Sequence, residues 1–235
     1  MRAVILAGGK GSRLLPYTTV IPKPLMPVGN KPILELIVRQ LKRYGFSRVT
    51  MAVGHLAELV EAYFGNGQKY GIDIDYSRED EPLGTIGSLC LIDGLDETFL
   101  VMNGDVLTDL DYLKLLDFHK KQQAVATIGT YNKDFNVDLG VLEMDEYSRL
   151  KQYIEKPTLK YNVSMGIYVF EPEILSFIKP NAYLDFPDLI LSLIEAGKEV
   201  VGFPFDGYWL DIGRHEDYVR AQEEFENIKE KLSFD

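Results

Sequence analysis

The chain has 235 residues, 46% of them hydrophobic and 26% charged, enough to bury the core of one sizeable domain. A net charge of −11 and a pI near 4.8 argue against nucleic acid or an anionic membrane as partner, because both select dense Lys/Arg patches. The single cysteine, Cys90, excludes an intrachain disulfide and a thiolate zinc site, and the absence of any apolar run near 18 residues excludes a membrane span, so a reducing, cytoplasmic setting is expected.

In chain order, residues 3–6 form a short apolar run ending in glycines. A helical spacing of apolar residues follows over 33–41, so the chain opens as strand, long loop, helix. Residues 49–53 read as a second buried strand, 57–64 as a helix, 72–76 as a strand, 85–92 as a helix and 99–102 as a strand ending in Asn103-Gly-Asp105. A helix over 112–121 and a strand over 124–130 continue the alternation, which implies a parallel or mixed sheet with helices on both faces. Asp109 and Asp111 read as the cap and first-turn charge of the 112–121 helix.

From Gly140 the pattern changes. Residues 140–144 and 150–154 look like a hairpin and 163–170 like a further strand, so antiparallel members are expected. An amphipathic helix over 186–196, a strand over 200–203 and a charged terminal helix over 214–231 complete the chain. In open α/β sheets ligands gather at the carboxyl ends of the strands, and those ends are where this sequence places its unusual residues.

Gly8, Gly9 and Gly11 follow the first strand directly. Such a backbone can take positive φ and bring its N–H groups to phosphate oxygens, with Arg13 adding a forked charge; a tight packing turn would use the same glycines. A P-loop is excluded because no Gly-Lys-Ser/Thr tripeptide exists. A dinucleotide fingerprint is excluded because Gly9-Lys-Gly-Ser-Arg-Leu14 lacks the third glycine.

The segment Leu6-Ala-Gly-Gly-Lys-Gly-Ser-Arg-Leu-Leu-Pro-Tyr-Thr18 resembles the signature of the sugar-1-phosphate nucleotidyltransferases. Pro22-Lys-Pro-Leu-Met-Pro-Val28 resembles that family's second block. The resemblance continues through Glu81-Pro-Leu-Gly-Thr85, Asn103-Gly-Asp105, Glu155-Lys-Pro157, Gly166-Ile-Tyr168 and Trp209-Leu-Asp-Ile-Gly213, and its pattern is similar to mannose-1-phosphate and heptose-1-phosphate guanylyltransferases. It implies one catalytic domain over residues 1–235, with a modified Rossmann-like, three-layer α/β fold around a mixed, mostly parallel sheet. No left-handed β-helix or acetyltransferase-like repeat is expected after it.

The implied substrates are a nucleoside triphosphate and a sugar 1-phosphate, with Mg²⁺ as cofactor. By the resemblance, Asp105 and Asp211 meet at one metal, Lys23 contacts the α-phosphate, Arg13 holds the departing β and γ phosphates, and these four are the catalytic set. The implied nucleotide site comprises Leu6, Ala7, Gly8, Gly9, Gly11, Ser12, Arg13, Lys23, Glu79, Gly84, Thr85, Asn103 and Gly104. For the sugar phosphate it is Gly140, Glu155, Lys156, Ser164 and Gly166. Gly140 and Gly166 are expected to leave room for the ring, while Ser164-Met165 stands where the family usually has Asn-Ala.

Glu79 occupies the place where thymidylyl and uridylyl enzymes often carry glutamine. A carboxylate accepts from the adjacent N1–H and N2–H₂ of guanine, so GTP is the expected donor; Glu79 and Glu81 would serve equally as solvated loop acids. The alternatives are a uridylyl-, thymidylyl- or cytidylyltransferase, or a non-catalytic sensor of nucleotide sugars. Apolar residues on the terminal helix serve core and interface alike, which leaves room for a homo-oligomer.

Overall fold

The computed structural model describes residues 1–79 and 81–232. Its strands and helices, in order, are β1 (Arg2–Ala7), β2 (Pro27–Val28), β3 (Lys31–Pro32), α1 (Ile33–Arg43), β4 (Arg48–Val53), α2 (Ala57–Phe64), β5 (Asp73–Arg78), β6 (Phe99–Asn103), β7 (Val106–Thr108) and α3 (Tyr112–Gln122). There follow β8 (Ala126–Asn136), β9 (Val141–Met144), β10 (Leu150–Ile154), β11 (Thr158–Phe170), α4 (Phe186–Glu195), β12 (Val200–Phe205), β13 (Trp209–Asp211) and α5 (His215–Leu232). No helix among the described residues is long and apolar enough to cross a membrane.

Seven strands form the central sheet in the order β12-β8-β11-β6-β1-β4-β5. Only β11 runs against its neighbours β6 and β8, the other pairings being parallel. The chain leaves β1 for β4 and β5 on one side and returns to β6 on the other, so the strand order switches direction beside β1. A crevice opens at the carboxyl ends of strands at such a point.

The two-residue period of the strands splits the core into two layers. Ala3, Ile5, Ala7, Leu100, Met102, Ile167 and Val169 face α1, α2, α3 and α5. Val4, Phe99, Val101, Tyr168 and Phe170 face α4 and the 3₁₀ turns at Gly87–Leu91 and Pro172–Phe177. Helices on both faces of a mostly parallel sheet are the three-layer architecture the alternation implies.

Three local readings change. The segment 85–92 is not an α-helix but a 3₁₀ turn over Gly87–Leu91, because the N–H groups of Ile86 and Gly87 both go to the carbonyl of Leu184 (3.2 Å each) instead of to their own preceding turn. Asp111 caps α3, accepting from Leu113 and Lys114 N–H, but Asp109 lies outside the helix and accepts from Tyr208 N–H at 2.7 Å. Strands β8 and β11 are longer than their apolar halves suggested. Their outer parts leave the sheet as an exposed two-stranded ribbon tipped by the β9–β10 hairpin.

Candidate functional site

Leu6, Ala52 and Asn103 occupy one register row across β4, β1 and β6, and all three line a 480 Å³ cavity at the strand ends. Gly104 continues the floor, its N–H reaching back to the Leu6 carbonyl at 2.9 Å. The same cavity is lined by Ala7, Gly8, Gly9, Gly11, Ser12, Arg13, Lys23, Glu79, Gly84, Thr85 and Asp105. The structure therefore brings together every predicted nucleotide residue, although they span nearly a hundred positions of sequence.

The three glycines differ. Only Gly11 has a positive φ, +61°, and a Cβ there would fall 2.8 Å from Cγ2 of Thr18. Its carbonyl accepts from Leu14 N–H (2.8 Å) and from the Thr18 hydroxyl (2.9 Å), which turns the chain so that Leu14 is buried while Ser12 and Arg13 stay exposed. The Gly8 carbonyl accepts from His55 N–H at 3.2 Å, and Gly54 packs against that carbonyl so closely that a side chain there would clash. At Gly9 a Cβ would meet nothing within 4 Å: its backbone faces open space.

Lys23 sits in a 3₁₀ turn with Pro22 before it and Pro24 after, and its ammonium is ion-paired with Oδ2 of Asp105. The other oxygen, Oδ1, is buried with no hydrogen-bond partner. Asp211 arrives by a short ladder that the sequence does not announce: β13 pairs antiparallel with β7, Asp211 opposite Val106, and Ile212 N–H donates to the Asp105 carbonyl at 3.0 Å. The two carboxylates are thus neighbours although 106 residues separate them. Burial raises the pKa of Asp211, and the Asp105 charge raises it further against the opposing fields of Lys23 and Arg13. Two carboxylates that resist sharing a charge, one with an orphaned oxygen, suit a cation. Among the described residues there is no group of three or more His, Cys, Asp or Glu that could hold a metal ion.

The opposite wall contains residues the sequence reading missed. Asp185 begins α4, yet its carboxylate takes the N–H and hydroxyl of Thr85 (3.0 and 3.2 Å) and the hydroxyl of Tyr183 (2.7 Å). The Tyr183 bond, then that from Thr85 N–H, holds its pKa below the ordinary value. Tyr183, Asp185 and Ser88 all line the cavity. Asp185 before Phe-Pro reads as a helix cap, so nothing local pointed to a wall. Glu79 sends one oxygen to Leu83 N–H at 3.1 Å and its other oxygen toward Gly8.

The predicted sugar-phosphate residues are dispersed. Gly140, Glu155 and Lys156 lie at the base of the β9–β10 hairpin and line neither this cavity nor a second one described below. Nor do the two glycines leave open room: a Cβ on Gly140 would run into the Tyr153 ring, and one on Gly166 would lie 2.5 Å from the Asn103 amide. Ser164 donates to the Tyr168 hydroxyl at 3.1 Å, and Met165 is buried in the core rather than facing a ligand.

The second cavity, 760 Å³, lies between the ribbon and the start of α5 and is lined by Arg13, Tyr131, Lys133, Trp209, Asp211 and Gly213 among others. Arg13 and Gly213 border both cavities. The two spaces therefore meet beside Asp105 and Asp211.

A family model described as nucleotidyl transferase matches residues 2–228. A UTP–glucose-1-phosphate uridylyltransferase of Synechocystis is 36% identical over 94% of this chain, and a mannose-1-phosphate guanylyltransferase of Mycobacterium tuberculosis 34% identical over 93%. The chain spans 62% and 63% of those proteins' lengths. A crystal structure of HddC from Yersinia pseudotuberculosis with GMP-PN superposes with a TM-score of 0.72, at 26% identity, over 95% of this chain and 99% of that one. With its signature loop, paired carboxylates and sheet order all accounted for, the chain belongs to the nucleotidyl transferase family.

Proposed function

We propose that the chain transfers a nucleoside monophosphate from a triphosphate, GTP by preference, to a sugar 1-phosphate, releasing pyrophosphate and a nucleotide sugar. One observation carries the reading: Asp105 and Asp211 stand side by side where two cavities meet. The glycine-lined cavity takes the donor and the cavity beside Trp209 the acceptor, which sets the acceptor phosphate against the donor's α-phosphate.

In this reading an acceptor phosphate oxygen attacks the α-phosphorus, and the bond to the bridging oxygen breaks with its electrons going to pyrophosphate. The acceptor is already ionised at neutral pH, so no side chain has to remove a proton. Every partner in the step is anionic, and catalysis is chiefly positioning and charge compensation. Asp105 and Asp211 would hold Mg²⁺, which supplies charge neutralisation at the reacting phosphates. Lys23, fixed between two prolines, passes from Asp105 to the α-phosphate when the donor arrives. Arg13, exposed at the junction, takes the β and γ phosphates. Glu155 and Lys156 reach the acceptor only when the ribbon bends over the second cavity.

Glu79 lines the donor cavity, and in this reading its oxygen near Gly8 accepts from the N1–H and N2–H₂ edge of guanine. The guanylyltransferase relatives and the GMP-PN complex of HddC support that choice, and the uridylyltransferase relative is the reason to test it. A sensor that binds nucleotide sugars without turnover would not need Arg13, Lys23, Asp105, Asp211 and Lys156 together. The test is pyrophosphate release with Mg²⁺, each of ATP, GTP, CTP, UTP and dTTP, and a panel of hexose and heptose 1-phosphates. GTP should lead. A preference for UTP or dTTP would overturn the role of Glu79, and silence with every pair would leave the sensor.

A further inference from the structure

The second cavity is lined by charges of both signs, its carboxylates being Asp134, Asp211, Glu216 and Asp217. In a chain of net charge −11, five of its fifteen lining residues are Arg or Lys. Two of these are compensated, Lys160 by Asp134 at 3.5 Å and Arg220 by Glu224 at 2.7 Å. Arg13 lies at the junction with the donor cavity. Lys133 and Arg214 have no carboxylate partner among the described residues. Asp217 makes no ion pair with the Arg214 guanidinium; its Oδ2 accepts the backbone N–H groups of Gly213 and Arg214 at 3.2 and 2.7 Å. The Lys133 ammonium lies instead over aromatic faces, 5.7 Å from the Trp209 ring centroid and 5.8 Å from that of Phe135.

The position of Lys133 separates it from the donor. Trp209 and Asp211 are alternate residues on one side of β13, with Leu210 between them buried in the core. Two strand residues span about 7 Å, on the order of one pyranose ring. Along the β7–β13 ladder Trp209 pairs with Thr108 and Asp211 with Val106, so Trp209 lies two steps farther from Asp105 than Asp211 does. The Tyr131 ring, 5.2 Å from that of Trp209, extends the aromatic wall on the same face of β8 as Lys133. An acceptor whose 1-phosphate sits at Asp211 would lay its ring along this wall and bring its far end to Lys133.

We propose that the acceptor is a sugar 1-phosphate bearing a second anionic group, a carboxylate or a further phosphate, which Lys133 binds at the Trp209 end of the second cavity. The proposal rests on the transferase reading and narrows its acceptor class. A neutral sugar presents hydroxyls, which amides and carboxylates satisfy; a cation held over aromatic rings and left without a carboxylate partner calls for an anion.

The test compares matched acceptors in the gluco and manno series: the hexose 1-phosphate, the corresponding uronic acid 1-phosphate and the hexose 1,6-bisphosphate, with Mg²⁺ and the donor that turns over best. A charged member should exceed its neutral counterpart in kcat/KM by roughly 10-fold, the factor expected of one charge-assisted contact, and the two charged arms tell carboxylate from phosphate. Lys133→Met should bring that ratio to about 1, Lys133→Arg should retain it, and donor KM should stay put in both. Equal use of neutral and charged acceptors by the unaltered protein would overturn the proposal. So would a rise in donor KM on Lys133→Met, since the cation would then serve the triphosphate. If no acceptor is turned over, the transferase reading fails on its own. Calorimetric titration of glucuronic acid 1-phosphate against glucose 1-phosphate still decides the anion site, with tighter binding of the former expected and equal binding refuting it.

Discussion

Gly9 and Gly11 stand two positions apart in one loop, yet substitution should separate their roles. Alanine at Gly11 must adopt φ near +61° with its methyl against Thr18, a left-handed conformation that costs roughly 1–2 kcal/mol before the clash is counted. At about 2–4 °C per kcal/mol for a chain of this size, Gly11→Ala should lower Tm by several degrees. Gly9→Ala meets no protein atom, so its Tm should be unchanged while its methyl enters the donor cavity and weakens nucleotide binding. Thermal melts and nucleotide titration of both variants check the pair. At Asp105 the buried, unpartnered Oδ1 is the atom that matters. Asp105→Asn keeps the side chain's shape, removes the charge from one ligand and deprives Lys23 of its ion-pair partner. Pyrophosphate release should drop about 10³-fold, as for loss of one electrostatic contact at a reacting phosphate, with the circular dichroism spectrum retained. A loss below about 10-fold would remove Asp105 from the metal.

At the level of elements, a polar staple ties α3 to the sheet at the end opposite the site. His119 of α3 is buried, with Nδ1 2.7 Å from the Thr127 hydroxyl of β8 and Nε2 3.1 Å from Glu171, just after β11. Thr98, just before β6, donates to the same Glu171 oxygen at 2.6 Å. One neutral tautomer satisfies both contacts: Nε2–H donates to Glu171 and Nδ1 accepts from Thr127. Burial lowers the His119 pKa below the ordinary imidazole value of 6.5, outweighing the opposing pull of Glu171. The unfolded chain therefore takes up a proton at His119 more readily than the folded one. Stability from this group is complete above pH 6.5, declines as the pH falls below it, and levels off once the folded imidazole is also protonated. Denaturant midpoints of the unaltered protein between pH 7.5 and 5 should fall more steeply than those of His119→Leu; equal slopes would mean that this histidine does not set the acid limb. The same element scale marks where sequence patterns ran short. The 85–92 segment has helical apolar spacing, but its amides are drawn to Leu184, a hundred positions away. The outer halves of β8 and β11 are exposed, so no apolar alternation marked them.

For the whole molecule, donor binding should stabilise the folded state by mass action. A nucleotide at about 100 times its dissociation constant adds roughly 2.7 kcal/mol, several degrees in Tm at this chain length. GTP with Mg²⁺ should give the largest shift, and EDTA should remove most of it, because Asp105 and Asp211 would then repel the triphosphate. Equal shifts with and without Mg²⁺ would count against the carboxylate pair. The order of the main strands and helices and the two faces of the sheet were legible in the sequence by itself, because each strand's buried alternation acts within a few residues, and the glycine side of the donor cavity was legible through the family resemblance of its signature blocks. The signature blocks placed Leu6 to Arg13, Lys23, Glu79, Asn103 and Asp105 on consecutive strand ends of one sheet, which the β1 switch point gathers. What only the tertiary structure decided is long-range. The β7–β13 ladder sets Asp211 beside Asp105, Asp185 leaves a capping role to tie down Thr85, the spaces beside Gly140 and Gly166 are filled by Tyr153 and Asn103, and a second cavity opens between the ribbon and α5. Those features arise from contacts between segments tens to a hundred residues apart, whose local sequences are equally compatible with solvent, and only packing in three dimensions chooses the partner.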